Sequence, residues 1–344
     1  MNITQRNFFR LLRAGTFDSE EEIEPMSGWK WRQVFEWGRK LCVTPLLYDG
    51  VQKCNGQFFM QLPADLDTLL RQECATAEQN YLELSVQVAE LLSLQGQWQM
   101  RPVLLDSWVT GCLYPKPGHH YTGQVNIYFP FATQGQKADE WAKNNVGDDK
   151  WKEVNGKTLH YQWKNLSVEH RHRMFILSNK LNNMTLQDII KQEWLDGGTS
   201  HVIIDGQRIE TVGPTLYMLM SLLSIFKETL NKGPALWQIV DIGMLLRRQG
   251  DRVDFVKLQD WIEQLHFTRM TQLVGMVLIG LLGFSADEVP FTKVESGAPK
   301  VENLANDLLS AGRGNNSKYL RYAPGESISN VVASLTHSLG NVEE

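Results

Sequence analysis

Residues 101–129 read RPVLLDSWVTGCLYPKPGHHYTGQVNIYF, and this stretch decides the fold. Pro102-Val103-Leu104-Leu105 is a short apolar run of buried-strand type. Residues 108–114 have room for one or two helical turns before the breaker-rich Pro115-Lys116-Pro117-Gly118. Val125, Ile127 and Phe129 then alternate with Gln124, Asn126 and Tyr128, the period of a strand with two different faces. A strand, a short helix and a second strand predict an α/β core that begins near residue 99.

The flanks have a different texture. Residues 1–98 carry apolar positions at three-and-four spacing: Phe8, Phe9, Leu11 and Leu12; then Trp31, Val34, Phe35, Gly38 and Leu41; then Leu66 to Leu92 on one long segment running from about Asp65 to Leu94. That spacing predicts amphipathic helices. After the core strand come an amphipathic helix at 136–145, strands at 158–164 and 166–174 around a Lys164-Asn165 turn, and helix from Leu181. A hairpin interrupts this helical region near 202–209, where Asp205-Gly206 suits a two-residue primed turn. Helices are expected at 214–231, 235–248, 255–265 and 268–283. The expected division is a helical region over 1–98, an α/β core over 99–180, a helical domain over 181–285 and a partly irregular extension over 286–344.

Composition limits the function classes. Apolar residues at 42% and charged residues at 21% fit a globular chain rather than a disordered one. A net charge of −5, with both signs mixed, gives no footprint for a nucleic-acid backbone. The longest apolar runs, 216–226 and 273–284, fall short of the roughly 20 residues that span a bilayer. The N-terminus lacks a secretory pattern. Cys42, Cys54, Cys74 and Cys112 have no C-x-x-C spacing and read as reduced thiols of a cytoplasmic protein with no membrane partner.

Three motifs carry a resemblance: Leu105-Asp106-Ser107, then Leu113-Tyr114-Pro115-Lys116-Pro117 leading into His120-Tyr121-Thr122-Gly123-Gln124-Val125-Asn126, and finally Val168-Glu169-His170-Arg171-His172-Arg173. In this order they resemble the bacterial uncharacterised nucleotidyltransferases of the polymerase-β-like superfamily. Members carry Leu-Lys-Gly, Tyr-Pro-x-Pro, Arg-x-x-Gly-Asp-Ile-Asp and Val-Glu-x-His-x-Arg. Trp237 to Asp241 is similar to the family's helical Arg-x-x-x-Asp, and Ala311-Gly312-Arg313-Gly314 to its glycine-rich C-terminal segment. The resemblance implies an α+β fold, with a small mixed β-sheet core flanked by N-terminal helices and a C-terminal helical bundle.

It also implies what is missing. In an active member two aspartates and a third carboxylate hold two Mg²⁺ ions about 3.5–4 Å apart. The aspartate positions here are Gln124 and Asn126; only Glu169 of the three keeps its charge. Losing two formal charges should weaken metal binding by on the order of several kcal/mol. The family's lysine is Asp106, its glycine is Ser107, its strand-preceding arginine is His120 and its helical arginine is Trp237, whereas Gly123 and Asp241 are kept. The expectation is a catalytically impaired protein that binds or regulates, with no cofactor and a nucleotide or a protein as partner. Its alternative is an active nucleotidyltransferase, with Mg²⁺ and NTP, whose metal site is rebuilt from Asp106 and Glu169.

Smaller readings accompany these. Glu169 is expected to pair with Arg171 or Arg173 on its own strand face. His170 and His172, at i and i+2, read as structural rather than as a transition-metal cluster, because no Cys or carboxylate completes a ligand set. Asp106-Ser107 lacks a G-x-S-x-G elbow, and no Walker or dinucleotide loop occurs. The 11 tryptophans fall mostly among helical apolar positions and read as core rather than as base-stacking groups.

Overall fold

A computed structural model of the chain describes residues 1–154, 158–231, 235–291 and 301–310. The N-terminal region is helical: α1 (Ile3–Phe17), α2 (Gly28–Lys40), α3 (Thr44–Lys53) and the long α4 (Ala64–Gln97). The core follows with β1 (Val103–Leu105), α5 (Ser107–Gly111), β2 (Val125–Tyr128), α6 (Ala132–Asn145), β3 (Trp151–Val154), β4 (Thr158–Trp163) and β5 (Leu166–Arg171). Then come α7 (Lys180–Leu195), β6 (Thr199–Ile204), β7 (Gln207–Val212), α8 (Pro214–Asn231), α9 (Leu236–Gln249), α10 (Phe255–Gln264), α11 (Thr268–Gly280) and α12 (Val301–Ser310). The fold is α+β, with helices on either side of the strands in sequence.

The chain forms two compact units, both discontinuous in sequence. One takes residues 1–75, 177–187 and 217 onward; the other takes 76–176 and 188–216. Among the described residues the regular elements of the first unit are all helices. A capping box at Asn2 and Gln5 starts α1, and the buried Phe8, Phe9, Leu11 and Leu12 make its apolar face. Helices α1 and α3 cross at glycines: a Cβ on Gly15 would run into the Leu46 carbonyl, and one on Gly50 into the Leu11 carbonyl. Glu24 receives both Arg6 and Arg10, and Glu21 receives Arg13 at 2.6 Å, which fastens the segment after α1 back onto it.

The second unit is built on one seven-stranded sheet of order β3-β4-β5-β2-β1-β7-β6. β2 runs parallel to β5, and β1 parallel to β7; the other pairs are antiparallel. One face holds Val125, Ile127, Leu159, Tyr161, Val168 and His170, all buried. The other carries Gln124, Asn126, Glu169, Arg171 and His160, because residues two apart share a face. Register aligns them: Asn126 lies beside Glu169, and Glu169 opposite His160.

Several expectations are refined here. Asp205 (φ 47°) and Gly206 (φ 71°) make the primed turn that the sequence implied. The resulting hairpin adds β6 and β7 to the sheet, which thus draws on strands beyond residue 180. Strand β3 was not expected. Its Lys152, Glu153 and Val154 are exposed at the sheet edge, so it carries no apolar alternation to betray it. The strand expected over 166–174 ends at Arg171, where the chain bends. The glycine-rich Ala311-Gly312-Arg313-Gly314 lies outside the described residues, as does most of the 286–344 extension. All four cysteines are free thiols. Among the described residues no helix is long and apolar enough to cross a membrane.

Candidate active site

Leu105 ends β1 and α5 begins at Ser107, so Asp106 makes the corner between them. It adopts φ 62° and ψ −145°, a region that only glycine enters freely and that costs a side-chain-bearing residue about 1–3 kcal/mol. An aspartate before a helix ordinarily accepts from the first free N–H groups. Asp106 makes no such cap; its carboxylate meets Arg171 instead, with Oδ2 3.0 Å from the guanidinium NH1.

Arg171 bridges two acids. Its Nε donates to Glu169 Oε1 at 2.7 Å while NH1 faces Asp106 and also lies 3.5 Å from the Met174 carbonyl. Burial works against the guanidinium's charge, but Asp106 and then Glu169 more than offset it and raise its pKa above the ordinary value. The second Glu169 oxygen is engaged too. Oε2 accepts from the Gln124 amide at 2.6 Å and lies 3.5 Å from His160 Nε2. The same Gln124 nitrogen donates to Asn126 Oδ1 at 3.0 Å. Asp106, Gln124, Asn126, Glu169 and Arg171 therefore form one hydrogen-bonded cluster on one face of the sheet.

Ser107 and Gly123 meet nearby. The Gly123 N–H donates to Ser107 Oγ at 3.1 Å, and its carbonyl accepts from Trp108 Nε1 at 3.3 Å, so the loop entering β2 is pinned to α5. His120 is buried, its ring 4.8 Å from that of Tyr114 and against Gly111. The Tyr-Pro-x-Pro stretch turns so closely over α4 that a Cβ on Gly118 would come within 2.9 Å of Glu78 Cα. The remaining candidates, Trp237 and Asp241, lie on α9 and belong to the other unit.

Behind the cluster, on the opposite face of β5, His170 is fully buried. Its Nδ1 is 2.9 Å from Asp139 Oδ1, and its Nε2 lies 2.9 Å from the Tyr161 hydroxyl and 3.1 Å from the Gln95 amide nitrogen. Burial lowers the pKa of His170, partly offset by Asp139. His172 Nε2 binds the other oxygen of Asp139 at 2.7 Å. Contrary to the expectation from sequence, a carboxylate does lie between the two histidines. It acts as a hydrogen-bond partner: among the described residues no group of three or more His, Cys, Asp or Glu is arranged to hold a metal ion.

The sequence signature of the uncharacterised nucleotidyltransferases matches residues 27–282, well over half of the chain. The chain belongs to that family. A solved structure, that of an antigenic nucleotidyltransferase-like protein from Paracoccidioides brasiliensis, is similar at 14% identity and a TM-score of 0.34, over 54% of this chain and 87% of that one. No curated protein matches. Along the family frame Val-Glu-x-His-x-Arg, Arg171 stands at the histidine position. This substitution escaped the sequence reading, in which Arg171 was one of two candidate partners for Glu169. The signal was present in the spacing, but only the contact with Asp106 shows which arginine turns inward.

Proposed function

We propose that this nucleotidyltransferase-family chain is catalytically impaired and serves as a binding or regulatory module, with the Arg171 guanidinium taking the part that Mg²⁺ plays in an active relative. The observation that carries this reading is the bridge from Asp106 through Arg171 to Glu169.

The donor set does not fit a two-metal centre. Magnesium requires near-octahedral anionic or carbonyl oxygens at about 2.0–2.1 Å. Here both oxygens of the one retained carboxylate are bound to Arg171 and Gln124, and the Asn126 carbonyl is bound to the Gln124 amide. A divalent ion would have to break these bonds and share its site with a guanidinium.

A second reading draws on the same bridge. Asp106 and Glu169 converge on a common cationic group, as an active enzyme with a rebuilt metal site would require, provided that Arg171 can swing away. Incubation of the purified chain with α-labelled ATP, GTP, CTP and UTP, with Mg²⁺ or Mn²⁺, separates the two. The impaired reading expects no label on the protein or on added acceptors. Sustained metal-dependent transfer would overturn it and favour the second.

A further inference from the structure

The helical unit carries an aromatic patch that its own packing leaves uncovered. Phe58 is 82% exposed and Phe59 44%, with the two rings edge-to-face at 5.1 Å. They lie on the loop between α3 and α4, which runs beside the segment linking α1 to α2. Gln57 joins the two. Its amide accepts from the Ile23 N–H at 3.0 Å and donates to the Glu21 carbonyl at 2.7 Å, on either side of Glu22. Further along, a Cβ on Gly28 would lie 3.5 Å from Pro63, and Trp29, next to Gly28, is 69% exposed. Single exposed apolar residues are ordinary, whereas three large rings on two adjoining segments mark a contact surface.

Charge narrows the occupant. Around the patch Asp18 pairs with Lys53, Glu21 with Arg13, and Glu24 with Arg6 and Arg10. Glu20 and Glu22 are exposed and form no ion pair among the described residues. The matching partner interleaves apolar side chains with cations, which can meet the carboxylates and also lie over the rings.

The chain itself carries such a segment within reach. Glu302 meets the amino terminus of Met1, and Asn306 accepts from Gln5 at 2.6 Å, so α12 runs alongside α1 in the same direction. Ser310 therefore ends beside the middle of α1, the stretch that Glu24 holds through Arg6 and Arg10. Residues 311–344 lie outside the described residues. Their sequence opens AGRGNNSKYLRYAPG, which has three cations and no acid and sets Tyr319, Leu320 and Tyr322 among Lys318 and Arg321. The spacer from Ala311 to Ser317 can span up to about 25 Å, more than the roughly 22 Å length of α1.

We infer that Lys318-Tyr319-Leu320-Arg321-Tyr322 is an intramolecular clasp that docks on Phe58, Phe59 and Trp29, with Lys318 and Arg321 toward Glu20 and Glu22. Weak contacts suffice, because a short tether gives the segment a local concentration on the order of millimolar.

The test is limited trypsin digestion of the full chain, with initial rates of cleavage after Arg313, Lys318 and Arg321 read by mass spectrometry. Arg313 lies in the spacer and serves as the internal reference. Phe58→Ser changes a ring that is 82% exposed, so the variant should melt like the parent. Relative to Arg313, cleavage after Lys318 and Arg321 should speed up about fivefold or more in Phe58→Ser, and likewise in a Glu20→Lys, Glu22→Lys double variant. Ratios that are the same in the parent and both variants would overturn the inference. Protection that rises with protein concentration would overturn it too, because it would assign the patch to a second copy of the chain.

Discussion

Glu169 and His170 are neighbours on β5 with opposite surroundings. His170 faces the helix-covered side, where Asp139, Tyr161 and Gln95 take up both ring nitrogens and solvent is excluded. Glu169 faces the polar side, where the Arg171 and Gln124 side chains crowd it, His160 lies 3.5 Å away, and Asp106 and Glu169 keep some contact with solvent. The first arrangement is a closed structural network, costly to disturb because each member would leave a buried partner unsatisfied. The second is built like a site: charged, strained at Asp106, and half-open. What separates them is one step of strand alternation.

The largest expected effect lies on the closed side. His170→Ala removes a fully buried ring and leaves Asp139, Tyr161 and Gln95 without it, so unfolding in urea should show a loss of about 3–4 kcal/mol. An effect below about 1 kcal/mol would mean that the two faces do not differ as described. Arg171→Met should cost less, about 2 kcal/mol, because the acids it frees reach solvent more easily. The same variant should gain a response to Mg²⁺ that the parent lacks, read as a rise in melting temperature with added metal.

The closed network also sets a pH dependence. Burial holds His170 below the ordinary imidazole value of about 6.5. As pH falls below that value, the unfolded chain takes up a proton that the folded chain refuses, and stability declines. Chemical denaturation from pH 8 to 5 should show this decline, and it should be shallower in His170→Leu than in the parent. The smallest contrast is between two tyrosines: Tyr161→Phe should cost about 1 kcal/mol for its bond to His170, and Tyr128→Phe should stay within about 0.5 kcal/mol.

Much of the architecture was legible because it follows from local rules. Asp205-Gly206 named its turn, and the spacing from Leu66 to Leu92 named α4. The triad of Gln124, Asn126 and Glu169 was legible as a cluster because i, i+2 spacing places residues on one strand face, and the family frame supplied the second strand. Two features were not. Strand β3 is held by edge pairing with β4, and its exposed side chains carry no signal. The role of Arg171 depends on how β5 registers with β2 and on the turn of Asp106 toward it, a relation between segments 65 residues apart in sequence. Spacing along one strand narrowed the partner of Glu169 to Arg171 or Arg173, and only the packed sheet separates the inward arginine from the exposed one.

The most direct test of Arg171 as a metal substitute is calorimetric titration with ATP, with and without Mg²⁺, of the parent and of a Gln124→Asp, Asn126→Asp, Arg171→His triple variant. With Arg171 in the metal's place, the parent should show no Mg²⁺-dependent ATP binding, and the variant, which regains two carboxylates and loses the fixed cation, a measurable metal-dependent signal. Micromolar Mg²⁺-dependent binding of ATP by the parent would contradict it.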